Sequence, residues 1–332
     1  DENTALMMAV YRQQPIIPVK WTTEPYQGVT HYFEPGDWGG TGIASRLGNA
    51  NNWVAERTRA KDNRWQDIRV LGNIFIDVKI IDGLTFRSNF GGSFNNWYGT
   101  GWSGETYENA ENQATSSYNE YSGYGFNWNW TNTLTFNRSF GNHNILAVAG
   151  YEAVKTGIGR DLSATAADYF SDALSYRTIS NGANKTGSGS SFWTPRTLAS
   201  QFFRGDYNYR NKYYASATVR RDGSSVFGAD TRYGVFPSFS AGWRISEEGF
   251  MQGIDFISNL KIRGGWGTMG NQLPVSTDNQ YYLYGGSPST SYYDLNGTTN
   301  SSLQGFRPTR IGNPNAQWER NVTRNVGVDF TL

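Results

Sequence analysis

Cysteine is absent from the chain, which excludes disulfides, zinc–thiolate centres and cysteine nucleophiles together. Histidine is almost absent. His31 and His143 are the two, far apart in sequence, so neither a two-histidine metal site nor a Ser–His–Asp arrangement is expected. No run approaches 18 apolar residues, so no transmembrane helix is expected. Charge is scarce too: Asp, Glu, Lys and Arg make up 17 % of the chain, against about 25 % in an average soluble domain. The net charge is +1, which leaves no electrostatic footprint for nucleic acid or acidic lipid. The opening DENTALMMAV has no basic stretch of a secretory signal. The expectation is a leader already removed, or a piece of something longer.

What is abundant is aromatic and glycine residues. Of 332 residues, 16 % are Phe, Trp or Tyr and 39 are glycine. That is neither a disordered polar chain nor a helical bundle. Mean hydropathy is negative. A barrel strand shows lipid on one side only, so a membrane barrel is not thereby excluded.

The dominant pattern has period two, which is strand-like. Ile74, Ile76, Val78 and Ile80 share one parity, and Asn73, Asp77 and Lys79 the other, with Phe75 breaking the pattern. Leu84, Phe86, Phe90 and Phe94 oppose Thr85, Arg87, Asn89 and Ser93. Tyr124, Phe126, Trp128 and Trp130 oppose Gly125, Asn127, Asn129 and Thr131. The same alternation sets Phe203 and Tyr207 against Arg204 and Asp206, and Tyr213 and Val219 against Tyr214 and Arg220. It sets Phe239 and Trp243 against Ser240 and Arg244, Ile262 and Trp266 against Lys261 and Arg263, and Val328 and Phe330 against Asp329. From Asn144 to Lys155 both faces read as apolar, and the sides stay open.

About nine strands result, many of the roughly 9–11 residues that a tilted membrane strand needs. Their connections alternate in length. Ile81–Gly83, Phe140–His143 and Arg210–Lys212 are short, and Ser246–Asn259 is intermediate, with room for a helical turn. Asn95–Glu120, Thr156–Arg196 and Met269–Trp318 read as long polar loops, and Asp222–Thr231 as a brief one, with Asp222-Gly223 supplying positive φ. Short periplasmic turns alternating with longer extracellular loops is the outer-membrane pattern. A soluble β-sandwich or propeller fits the alternation, but not the strand lengths, the loop order or the aromatic strand ends. The fold class expected is therefore all-β, an antiparallel transmembrane β-barrel.

At this point the sequence resembles a family. RRDGSSVFGADTRYGVFPSFSAGWRISEEGFM, Arg220 to Met251, looks like the signature of SusC/RagA-type TonB-dependent outer-membrane transporters of Bacteroidetes. LKIRGGWGTMGNQ from Leu260 is similar to that family's following strand, and NPNAQWERNVTRNVGVDFTL from Asn313 to its Asn-Pro, Trp-Glu and Gly-Val-Asp-Phe pattern. RVLGNIFIDVKIIDGLTFRSNFG, from Arg69, matches its hairpin before a large loop. The resemblance implies a barrel of roughly 22 strands with an N-terminal plug. The plug and its TonB-box segment do not appear here. The chain is then expected to hold the central portion of that barrel at residues 67–332, preceded by an extracellular loop region at 1–66.

The function implied is energy-coupled import of oligosaccharides or peptides through the bacterial outer membrane. The implied partners are a SusD-like surface lipoprotein lid, TonB acting through the plug, and outer-membrane lipid. A passive porin and a soluble β-rich glycan-binding or adhesin module are the alternatives. No catalytic constellation, metal site or cofactor motif is found. Gly264, Gly265, Gly267 and Gly270 lack the spacing and the Lys-Ser/Thr of a phosphate loop. Arg87, Asn127, Asn129, Arg204, Arg220, Arg244, Lys261 and Arg263 are expected on the lumen side, the basic ones paired with carboxylates on neighbouring strands, such as Asp206 and Asp222, or on the implied plug. Trp97, Tyr98, Trp102, Trp193, Tyr292 and Tyr293 are candidate substrate contacts in loops, where flat rings stack on sugar faces or pack against one another.

Overall fold

The computed structural model describes residues 11, 14–48, 50–254, 256–287, 289–294, 297 and 302–332. Ten strands form one large sheet: β1 (Arg64–Ile81), β2 (Leu84–Ser103), β3 (Ser117–Phe140), β4 (His143–Ala167), β5 (Asn184–Phe192), β6 (Arg196–Tyr209), β7 (Tyr213–Ser224), β8 (Tyr233–Arg244), β9 (Asn259–Asn271) and β10 (Glu319–Thr331). Sequence neighbours are sheet neighbours throughout, except that β4 changes partner along its length. Residues 143–156 pair with β6, and 160–167 pair with β5. β4 pairs antiparallel with β5 and β6, and β6 through β10 pair antiparallel in succession. Among the described residues the sheet is open, ending on β1 and β10. No helix among them is long and apolar enough to cross a membrane.

The short turns fall where the sequence places them. Gly83 and Gly141 take positive φ in their turns. In the β6–β7 turn Arg210 and Asn211 both do so, at 51° and 55°. Positive φ at both central residues of the tight turn from Tyr209 to Lys212 lets the connection follow the right-handed twist of its strands. Asn211 is held there by its N–H, which donates to Oδ1 of Asn208 at 2.9 Å. Between β8 and β9 lie two 3-10 turns, Ile245–Glu247 and Gly249–Met251.

The long connections differ from expectation. β2 runs on to Ser103 and β3 begins at Ser117, so much of Asn95–Glu120 is strand. β4 extends to Ala167, and β5 occupies part of Thr156–Arg196, raising nine strands to ten. The alternation fades in these extensions because neither side need be uniformly apolar. Gly223 is not a turn residue either. It lies within β7 without positive φ, and the Cβ it lacks would run into the ring of Tyr233, its register partner.

By internal contacts the chain divides into two units. The first gathers the residues before Val70 with 95–125 and 159–193. Its short helix α1 (Trp53–Arg59) is capped by Asn52, whose side chain accepts from the Ala55 N–H at 3.1 Å. Arg59 at its end makes a two-pronged bond to Glu108, at 2.7 and 3.0 Å. Glu108 is fully buried. Burial alone would raise its carboxyl. The bonds from Arg59 and from backbone N–H groups outweigh that and hold it below the usual carboxylate range. Gly40 and Gly42 press against the Glu108 carbonyl, where a side chain would collide.

The second unit holds 70–94, 126–158 and 194–332. Here the connection after β7 tucks Val226 and Phe227 fully out of solvent. Trp318 covers Phe227 at 5.1 Å and donates from Nε1 to the Arg232 carbonyl at 3.0 Å.

Candidate functional site

Register assigns the side chains of β6 to β10, and of β4 along 143–156, to one of two faces, because directly opposed residues share a face. Arg204 stands opposite Val148 and Thr218, Thr218 opposite Ser238, Ser238 opposite Gly267, and Gly267 opposite Thr323. The next row out holds Asp206, Ser216, Ser240, Gly265 and Asn325. The other face carries Ala149, Phe203, Val219 and Pro237 in one row and Ala217, Phe239, Trp266 and Arg324 in another. The sides of 144–155, open from sequence, follow from the β4–β6 register. Glu152 falls on the polar face opposite Ser200, and Tyr151 on the apolar one opposite Gln201. Phe202, an aromatic on the polar face, lies over Gly150, where any side chain would collide with its ring.

The apolar face is bounded by aromatic rings. At the short-turn end Tyr209 stacks on Tyr213 at 6.4 Å, and Trp243 stands opposite Tyr213. The hydroxyl of Tyr213 and Nε1 of Trp243 both donate to Oε1 of Glu248, at 2.6 and 3.1 Å. At the far end Arg221 lies 3.8 Å over the ring of Tyr233. Tyr233 is opposite Gly223, ten residues along β7 from Tyr213. Ten residues at about 3.4 Å each, tilted about 45°, span roughly 24 Å, the height of the apolar band of an outer-membrane barrel. Rings whose polar atoms point off both ends of such a band form an interfacial girdle.

The polar face is laced by ion pairs. Arg87 bonds Asp77 through two contacts of 2.6 Å, with its guanidinium 4.9 Å over Phe75. Phe75, the residue that broke the alternation, thus serves as a platform for a charge. Arg204 bonds Asp206 at 2.7 and 3.0 Å. Arg220 joins two carboxylates, Glu152 at 2.8 Å and Asp222 at 2.7 Å, and Thr131 donates to Glu152 at 3.3 Å. Arg263 reaches Asp329 at 3.2 Å. Asn127 accepts the Gly157 N–H at 2.8 Å and donates to Ser93 at 3.3 Å, and the side-chain oxygen of Asn129 fills the space a Gly91 side chain would take. Of the expected basic set, Arg244 and Lys261, which stand directly opposite each other, form no ion pair among the described residues. The carboxylates Asp77 and Asp329 share the arginines' parity and were legible on that ground. Glu152 lay in the stretch whose sides sequence left open.

Cavities open on this face. One of about 390 Å³ is lined by Asn144, Asn208, Tyr214, Ser240, Lys261 and Asn325 among others. A second of about 520 Å³ is lined by Asn73, Asn89, Ser93, Asn127, Asn129 and Thr156 among others. Such walls of amides and hydroxyls offer both donors and acceptors to a polar solute.

The candidate aromatics divide. Trp97, Tyr98 and Trp102 lie on β2 rather than in a loop, and Trp193 follows β5 directly. Trp97 and Trp193 stack at 5.5 Å with 15° between planes. Side chains at Gly123, Gly125 or Gly159 would collide with or crowd this pair, so both rings lie flat on backbone. Trp193 Nε1 donates to Asp161 at 2.5 Å. Tyr98 is 43 % exposed and lines a cavity of about 540 Å³ with Glu120, Arg160 and Ser188. Trp102 is a correction. It is 3 % exposed, packed with Tyr118, Ala166 and Tyr169 and covered by Arg177 at 4.7 Å, which is a core role. Tyr292 and Tyr293 belong to the second unit, with Tyr293 63 % exposed.

Comparison with known proteins places this geometry. No family model matches the sequence. TonB-dependent receptor P3 of Formosa agariphila is 30 % identical over 310 residues, covering 88 % of this chain and 28 % of that protein. TonB-dependent receptor SusC of Bacteroides thetaiotaomicron is 40 % identical over 138 residues, 41 % of this chain and 13 % of that one. The fold matches a solved structure of the RagAB peptide transporter with a TM-score of 0.68 at 21 % identity, over 81 % of this chain and 29 % of the other. The chain spans about a quarter of the length of the curated relatives it matches over most of its own. It belongs to the SusC/RagA-type TonB-dependent receptors, as a stretch of their outer-membrane β-barrel.

Proposed function

We propose that this chain is wall and surface structure of a TonB-dependent importer, with residues 67–332 in the barrel and 1–66 on its extracellular side. The observation that carries the reading is the two-faced sheet: an apolar face about as tall as the membrane's apolar band, backed by a face of ion pairs, amides and glycines. On this reading the polar face, with Arg87, Asn127, Asn129, Arg204, Arg220, Arg244 and Arg263, lines the lumen. Further strands continue the sheet at β1 and β10, since unpaired backbone edges in hydrocarbon cost several kcal/mol per group. The cargo is an oligosaccharide or a peptide. A SusD-like lipoprotein covers the extracellular side, and TonB works through a plug. The exposed members of the aromatic set, with the stacked Trp97 and Trp193 foremost, meet the cargo.

The test is uptake by cells carrying the full-length receptor. Growth on, or accumulation of, an oligosaccharide or peptide should require the receptor, the lid lipoprotein and TonB alike. Uptake that survives loss of TonB would mean passive diffusion and would end this reading. Trp97→Ala and Trp193→Ala should raise the half-saturating cargo concentration while surface expression stays unchanged.

A further inference from the structure

Arg87, Arg204, Arg220 and Arg263 on the polar face each bond a carboxylate. Arg138 and Arg210, on the other face, form no ion pair among the described residues. Asn137 lines the polar-face cavity with Asn144 and Asn208. Arg138, the next residue of β3, therefore points to the apolar face, with Phe136 and Phe140, which stack at 6.5 Å. Its guanidinium lies 5.4 Å over Phe140. That of Arg210, in the β6–β7 turn, lies 5.3 Å over Tyr209, a ring of the girdle. Both arginines are exposed. Contact with a ring leaves the N–H donors of a guanidinium to be satisfied from outside.

The two turns are tied together. The Arg210 N–H donates to the Asn142 carbonyl at 2.8 Å, joining the β6–β7 turn to the β3–β4 turn. His143, at the start of β4, stands opposite Tyr209 with its ring 4.8 Å away, and its Nδ1 bonds the Tyr207 hydroxyl at 2.7 Å. Arg210 takes positive φ, a conformation that glycine or asparagine adopts at lower cost. What arginine adds there is its guanidinium. The short-turn end of the apolar face thus carries a shelf of rings and uncompensated positive charge.

We propose that Arg138 and Arg210 bind the phosphate of an anionic phospholipid in the leaflet at the short-turn end, its acyl chains lying along the apolar face of β6 and β7. This rests on the reading of that face as the one in contact with lipid. Charge complementarity sets the sign of the headgroup, and a guanidinium matches phosphate with two parallel N–H bonds. Continuity sets the class of ligand. The arginines end a surface on which Phe203, Ala215 and Val219 face hydrocarbon, so one patch meets phosphate and chains together. A dissolved anion would use only half of it. Rings of an interfacial girdle lie at headgroup level, where such a phosphate stands.

Lipid retention by the full-length receptor, delipidated in a nonionic detergent and read by native mass spectrometry, tests this. Dioleoylphosphatidylglycerol should be retained in preference to dioleoylglycerol, which has the same chains and no phosphate. Glycerol phosphate, which has no chains, should not be retained. Arg138→Gln and Arg210→Gln should each weaken retention of the phosphatidylglycerol about five-fold, the contribution of one basic residue near a membrane surface. Lys79→Gln, which removes an exposed cation beside the β1–β2 turn, should leave it unchanged. Equal retention of the two dioleoyl lipids, or equal retention by the arginine and lysine variants, would overturn the proposal. Retention of glycerol phosphate as tight as that of the lipid would make this a site for a dissolved anion and overturn it too. The facing is read separately in the wild-type receptor, in vesicles of phosphatidylglycerol carrying a photoreactive group. A group at the chain end should label Val219 and Phe239, and one on the headgroup should label residues 138–143 and 207–213. Chain-end labelling of Thr218 and Ser238 instead would end the reading of the faces. Chain-end labelling as expected, with no headgroup label at those turns, would end this proposal alone.

Discussion

Arginine placed along the apolar face of β7 should be costly in proportion to its depth. Ala215, Ala217 and Val219 lie on that face, opposite Tyr207, Gly205 and Phe203 on β6. Tyr213 marks the girdle at one end. At about 3.4 Å per residue and a tilt of about 45°, the three positions lie roughly 5, 10 and 14 Å inside it. Half of a 25 Å band is about 12.5 Å, so Val219 sits within about 2 Å of the midplane. Val219→Arg should therefore cost about 2–4 kcal/mol and Ala215→Arg about 1 kcal/mol or less, with Ala217→Arg close to Val219→Arg. The first figure is roughly 30- to 800-fold in the folding equilibrium. Thr218→Arg, next along the chain but facing Arg204 and Ser238, should stay well below Val219→Arg. The assay is urea-driven unfolding of the full-length receptor from lipid vesicles, followed by tryptophan emission. A profile flat with position, or a Thr218→Arg as costly as Val219→Arg, would refute the facing and the depth together.

Other consequences follow from the polar face and the first unit. Arg220→Met strands Glu152 and Asp222 beside each other and should cost about 1–3 kcal/mol in the same assay, while the triple change that also makes them Gln and Asn should recover much of it. Equal losses in single and triple variants would mean the cluster adds no coupling. The carboxyl of Glu108 is held below its ordinary value, so its bond to Arg59 stabilises the first unit at neutral pH. That contribution fades as pH falls from the ordinary carboxylate range through the lowered folded value. Hydrogen exchange at residues 53–60 should accelerate on acidification, and Glu108→Gln should remove that part of the acid response. For topology, an impermeant maleimide on intact cells should label Ser103→Cys, Ser188→Cys and Ser289→Cys but not Asp82→Cys or Asn211→Cys. The converse pattern would invert the barrel.

Sequence by itself determined the architecture. Strict alternation in Gly125–Thr131 or Tyr213–Arg220 is a local property, because successive side chains of a strand point to opposite faces whatever its neighbours are. The tight turns were legible for the same reason, since Asp82-Gly83 and Gly141-Asn142 carry their conformation in two residues. So was the family, through motifs that run in order along the chain. What needed tertiary structure was anything that depends on who stands opposite whom. The faces of Asn144–Lys155 became definite only when β6 supplied a register. Phe75 and Phe202, misplaced on a polar face by parity alone, make sense once Arg87 and Gly150 are seen to lie against them. Trp97 and Trp193 are distant in sequence, and only the folded strands stack them over three glycines; Trp102, of the same residue type in the same stretch, is turned into a core instead. The meeting of Arg244 with Lys261 is likewise a fact of pairing: each cation is ordinary in its own strand, and their opposition exists only in the sheet.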